Sequence, residues 1–189
     1  GDLGGGRVAI DGDVVAVYPG SRGYRKIHLY TPDAEGWALS QIVESPLPLP
    51  DDAQFGLNLD LHNGWLVAAA HRDPTRAFRG GSVFVFQRDA DGVYQFTQQI
   101  LPPEPFEENG EFGFDLWMDG DTLAISARRA IREVEWQGAI FTYELDGDQW
   151  EFRQEITHAD PREDDELGVY LTLGGDTLLA RIDRTIAGV

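Results

Sequence analysis

The chain has 189 residues, a net charge of −18, a pI near 4.3 and 11% aromatic residues. That length accommodates one domain with a real core, and the aromatic content argues against disorder. So acidic a chain repels nucleic acid and anionic membranes. No run of 18 apolar residues offers a membrane span, and the absence of cysteine excludes disulfides and thiolate metal sites.

The acidic surface suits a soluble protein in a salty or extracellular setting, or serves solubility alone. No basic n-region followed by an apolar h-region is present, so no signal peptide is expected; a mature chain and an excised piece would look the same.

The first strands are predicted at 8–10 and 14–17, joined through Asp11-Gly12. "RKIHLY" at 25–30 and "WALSQIV" at 37–43 follow as a third and fourth strand. The pattern then begins again. Phe55-Gly56 opens "FGLNLDLHNGWLVAAA", with strands at 57–61 and 66–70 around Asn63-Gly64, then "GSVFVF" at 81–86 and "YQFTQQI" at 94–100. Phe112-Gly113 opens "FGFDLWMDGDTLAISA", with strands at 114–118 and 123–127 around Asp119-Gly120, then "GAIFTY" at 138–143 and "WEFRQEI" at 150–156. Leu167-Gly168 opens a fourth unit, with strands at 169–173 and 178–180 around Gly174-Gly175.

The units start at 4, 55, 112 and 167, so the spacing is 51 to 57 residues, a repeat signature. The boundaries are 4–54, 55–111, 112–166 and a partial 167–189. The turn residues tolerate the positive φ of a two-residue hairpin. Strand two is nearly all apolar and fits a strand covered on both faces, whereas strand four alternates aromatic with polar residues. The aromatic recurs as Trp37, Tyr94 and Trp150, and a glutamine as Gln41, Gln98 and Gln154. No segment has a helical period.

Four antiparallel strands per unit predict an all-β fold, a β-propeller of four-stranded blades with about three and a half blades in the chain. A non-repeating β-sandwich is the rival, and the gapless alignment argues against it. The Phe-Gly pair is expected to start the innermost strand, with glycine passing close to the neighbouring blade and the aromatic packed between blades.

These residues resemble the FG-GAP repeats of the integrin alpha-chain propeller, and most closely a bacterial subfamily of them. The small residues of "GAP" match Ala69-Ala70 and Ser126-Ala127; Tyr18-Pro19 matches in part and Arg181-Ile182 departs. The resemblance implies an extracellular, periplasmic or cell-surface location. It also implies seven blades, about twice this chain. The missing blades are therefore expected from a larger parent chain or from a homo-oligomer.

Integrin repeats often carry a calcium loop, Asp-x-Asp/Asn-x-Asp-Gly-x-x-Asp, between strands one and two. Here it has shrunk to turns such as Asp11-Gly12-Asp13, too short to supply six to eight oxygen ligands. Asp89-Ala90-Asp91-Gly92 resembles a calcium loop but lies at the strand three–four turn with no closing ligand. No metal and no cofactor are expected.

Four histidines (His28, His62, His71 and His158) share no ligand spacing. There is no nucleophile elbow, phosphate loop or cysteine nucleophile, and abundant carboxylates alone do not make a glycosidase. No enzyme is expected.

Charge position is more informative. Eleven of the 15 basic residues lie in or beside the strand two–three loops, while the strand four–one connectors hold 12 acids, Glu111 and Glu166 among them. In a propeller both sets share one face. They either neutralise each other or form a binding face for an acidic protein segment or an anionic glycan. Arginine beside aromatics is a hot-spot composition, and the candidates are Arg22, Tyr24, Arg72, Arg76, Phe78, Arg79, Arg128, Arg129, Arg132 and Trp136. The expected function is a non-catalytic binding or adhesion-type module using that face. The alternatives are a purely structural segment of a larger propeller, or an enzyme with a central loop-lined pocket.

Overall fold

Among the described residues, the alternating and β-branched runs form 14 strands, and Gly-containing turns join them in pairs. The computed structural model describes residues 7–20, 26–104 and 108–183. The first sheet holds β1 (Val8–Asp11), β2 (Val14–Val17), β3 (Lys26–Pro32) and β4 (Trp37–Glu44). The second holds β5 (Leu59–His62), β6 (Trp65–Ala70), β7 (Ser82–Arg88) and β8 (Tyr94–Ile100). The third holds β9 (Phe112–Asp119), β10 (Thr122–Ala127), β11 (Ala139–Asp146) and β12 (Gln149–Ile156). A hairpin of β13 (Leu171–Gly174) and β14 (Thr177–Ala180) completes the order. Every sheet is antiparallel, with strands side by side in chain order. The one helical turn described, Asp51–Ala53, lies in the first connector.

Two details differ from the sequence reading. Three of the four hairpin turns sit one residue later than expected, because Asp11, Asp119 and Gly174 pair across the ladder with Val14, Thr122 and Thr177. The turns are thus Gly12-Asp13, Gly120-Asp121 and Gly175-Asp176, each with its glycine at φ near +55°. Only Asn63-Gly64 sits where expected, with both residues at positive φ. In addition, β9 begins at Phe112 and reaches its normal register with β10 through a bulge.

The core lies between the sheets. One cluster joins the first and second sheets through Ile27, Leu29, Phe55, Leu66 and Phe84. A second joins the second and third through Val67, Val85, Phe112, Ile125 and Phe141. A third joins the third sheet to the hairpin through Ala124, Ile140, Leu167 and Leu171. This face-to-face stacking of repeated four-stranded sheets is consistent with propeller-like blades.

The Phe-Gly pairs work at these seams. Phe55 and Phe112 are fully buried, edge-on to Phe84 and Phe141 at 5.6 and 5.5 Å. The glycine that follows has φ of +87° at Gly113, and a Cβ there would lie 2.8 Å from the Ala69 Cβ of the preceding sheet. A positive φ and a close backbone approach together require glycine.

Candidate functional site

The β6–β7 and β10–β11 loops are each zipped by their backbone to the connector leading to the next sheet. Asn109, Glu111 and Phe112 donate their N–H groups to the carbonyls of Phe78, Arg79 and Gly80. One unit later, Asp164, Glu166 and Leu167 donate to Glu135, Trp136 and Gln137. The loops and connectors therefore lie on one face. Gly81 and Gly138 permit the contact: a Cβ on them would meet Phe112 O at 2.1 Å and Leu167 N at 2.3 Å.

Buried polar groups staple the loops from inside. Asp73 accepts from Thr75 N at 2.8 Å and Ser82 Oγ at 2.5 Å, and Gln137 Oε1 accepts from Glu133 N and Val134 N. A loop held this way presents its tip with little conformational freedom.

Much of the basic charge is matched. Glu111 is 1% exposed and accepts from Arg128 Nε at 2.8 Å, with Arg72 and Arg129 nitrogens at 3.8 and 3.9 Å. Glu166 takes Arg128 and Arg129 at 3.3 and 3.2 Å, and Arg132 pairs with Glu155. Glu111 and Glu166 occupy the same repeat position, both left-handed, just before Phe112 and Leu167. The mutual neutralisation read from the sequence thus holds for the loop carrying Arg128, Arg129 and Arg132.

The loop between β6 and β7 differs. Its Arg79 guanidinium lies 5.3 Å from the ring centre of Phe78, which is 55% exposed, and Arg76 of the same loop is exposed. Beneath, His71 is 2% exposed with its ring edge-on to Phe114, over whose face Arg128 sits at 3.8 Å. Burial pushes the His71 imidazole down to about 4, against the opposing pull of Glu111, so it is neutral at pH 7. Four buried polar atoms in this patch (His71 Nδ1, Arg72 Nε, Arg79 Nε and Glu111 Oε1) make no hydrogen bond within the described protein.

The structure therefore brings Arg72, Arg76, Phe78 and Arg79 together on one tip. Arg128, Arg129, Arg132 and Trp136 lie on the next, with Arg129 4.9 Å from the Trp136 ring centre. Arg22 and Tyr24 lie outside the described residues. His71, Asp73 and Gln137 were missed as site-building groups. The signal for Asp73 was its spacing from Thr75, typical of an Asx-turn; His71 carried none.

The first strands of the sheets, β1, β5, β9 and β13, line a cleft of about 500 Å³ that includes Arg7, Asp60, His62, Trp117 and Asp119. Its polar groups tie sheet to sheet. Asp60 accepts from Met118 N at 2.7 Å, His62 Nε2 from Gly120 N at 2.8 Å, and Asp115 from Leu171 N at 2.8 Å and from Arg7. Asp11 and Asp119 accept from the turn amides of Gly64 and Gly175. Burial raises the Asp60 carboxyl to about 6, offset in part by the N–H groups of Met118 and Leu61. At the strand three–four turn, Asp89 accepts from Asp91 N, Val93 N and Gln95 Nε2. Among the described residues, no group of three or more potential metal ligands converges.

No protein-family model matches the chain, and no curated protein matches its sequence.

Proposed function

We propose that this chain is a segment of an FG-GAP-type β-propeller that works outside the cytoplasm as a non-catalytic binding module. Its partner is an acidic segment of another protein, held by the tip of the β6–β7 loop. The observation that carries this reading is the stacking of Arg79 on exposed Phe78, above buried polar atoms that have unspent hydrogen-bonding capacity. An aromatic anchor with a guanidinium stacked on it suits a carboxylate-bearing chain. The neighbouring loop, already neutralised by Glu111, Glu166 and Glu155, contributes Trp136. The seven-bladed ring and the supply of its other blades by a longer chain or by other copies belong to the same proposal. The inner cleft is assigned a structural role, since its carboxylates and His62 hold backbone amides.

The test is selection from a phage-displayed peptide library, with a Phe78→Ala/Arg79→Ala variant for counter-selection, alongside retention on heparin. Acidic peptides that bind the natural chain and lose at least about tenfold in affinity on the variant support the reading. Equal binding to both proteins, or recovery of no acidic peptides, overturns it. Heparin retention that the variant loses, without peptide binding, assigns the tip to anionic glycans instead.

A further inference from the structure

Two glutamines join neighbouring sheets by the same device. Gln41 on β4 donates its amide N–H to the Tyr94 carbonyl at 2.9 Å and accepts from Tyr94 N at 2.8 Å. Gln98 on β8 does the same to Trp150, at 2.9 and 2.8 Å. In each case a primary amide clasps both backbone groups of the aromatic residue heading the next sheet's outermost strand. The aromatic side chain then packs inward: Trp150 stands edge-on to Trp65 of the preceding sheet at 5.9 Å.

Gln154 holds the corresponding position on β12, but it is exposed, and its side-chain amide has no partner among the described residues. In the fourth unit, β14 pairs only with β13 in the described structure, so its other edge carries open backbone groups, and Leu179 is 62% exposed. The face of the third sheet beneath is prepared in the same way. Ala124 and Ile140 pack on the hairpin, and Thr142 is half-buried where the second sheet has fully buried Val85.

We propose that Gln154 and the free edge of β14 form a docking site for a β-hairpin of this repeat's strand three–four type. Its first strand pairs antiparallel with β14. Its second strand begins with an aromatic residue whose N–H and C=O are clasped by Gln154. The argument for this occupant is continuity: the same interface is made twice in the chain, with a glutamine amide on both backbone groups of an aromatic residue. The site belongs to the sheet stacking and is independent of the loop face.

The experiment appends residues 138–156 through a Gly/Ser linker to the C-terminus of the full chain and follows amide hydrogen exchange. The linker makes docking intramolecular, which offsets the marginal stability of a free hairpin. Protection of the β14 amides is expected to rise at least about tenfold. A Gln154→Ala change in the fusion should remove about fivefold of that gain, the scale of a net hydrogen bond, while Gln149→Ala leaves it intact. Unchanged β14 exchange in the fusion overturns the site, and so does a gain indifferent to Gln154.

Discussion

The aromatic that heads strand four occurs in three sheets and meets two fates. Tyr94 and Trp150 are 4% and 2% exposed; Trp37, in the same register position, is 52% exposed. Their own strands are alike in length and pairing. The difference is the neighbour, because Tyr94 and Trp150 each have a preceding sheet that supplies an apolar seat and a glutamine clasp, and Trp37 has none among the described residues. Val8 and Ile10, 63% and 65% exposed, mark the same open flank. A sheet thus buries this aromatic only against a neighbour, the interface contribution of a nearest-neighbour repeat architecture.

The sharpest way to break that comparison is truncation of the two tryptophans. Trp150→Ala is expected to cost about 3–5 kcal/mol in urea unfolding, the range for a buried large aromatic. Trp37→Ala should stay within about 0.5 kcal/mol of the natural chain. Equal costs would place the stability within sheets.

Glycine substitutions come next. Gly113→Ala forces a Cβ against Ala69 and Val83 at a seam, with φ at +87°, and is expected to cost about 2–3 kcal/mol. Gly12→Ala has a positive φ but no atom within 4 Å of the added Cβ, so only the backbone cost of about 1 kcal/mol applies. Thermal melts of the two variants separate strain from collision.

A smaller effect is expected at the glutamines. Gln98→Ala leaves both backbone groups of Trp150 unclasped, for about 1–2 kcal/mol, whereas Gln154→Ala in the unmodified chain should be neutral. Parallel denaturation curves of the two variants check the difference.

The smallest effect is the pH dependence of the seam between the second and third sheets. Asp60, raised to about 6 from 3.8, holds an extra proton in the folded state between those values, so its contribution falls as pH rises through that window. His71, lowered to about 4 from 6.5, acts oppositely: the unfolded chain takes up the extra proton, and stability is lost as pH falls through that window. Asp60→Asn removes the first and leaves the second. Its stability should therefore drop more on going from pH 6.5 to 5 than that of the natural chain, by about 1 kcal/mol. Urea titrations at the two pH values measure this.

The sequence alone determined the repeat, the four-strand unit and the identity of the seam residues. Phe112 and Gly113 were legible because a recurring aromatic followed by glycine has a narrow set of physical uses, and both faces of β6 because alanine and valine ran without interruption. The recurrence of Gln41, Gln98 and Gln154 was visible too, but its purpose was not. An amide that clasps a backbone 53 residues away leaves no local pattern. The turn positions slipped by one because Asp-Gly-Asp, and Gly-Gly-Asp in the fourth unit, permit two placements of a two-residue loop, and the ladder register chose between them. At the loop face the composition named the arginines, but composition is blind to which carboxylate each one meets. Tertiary structure decided that Arg128 and Arg129 are spent on Glu111 and Glu166 while Arg79 rests on an exposed ring, because ion pairing depends on separations of a few ångströms that only the packed loops define.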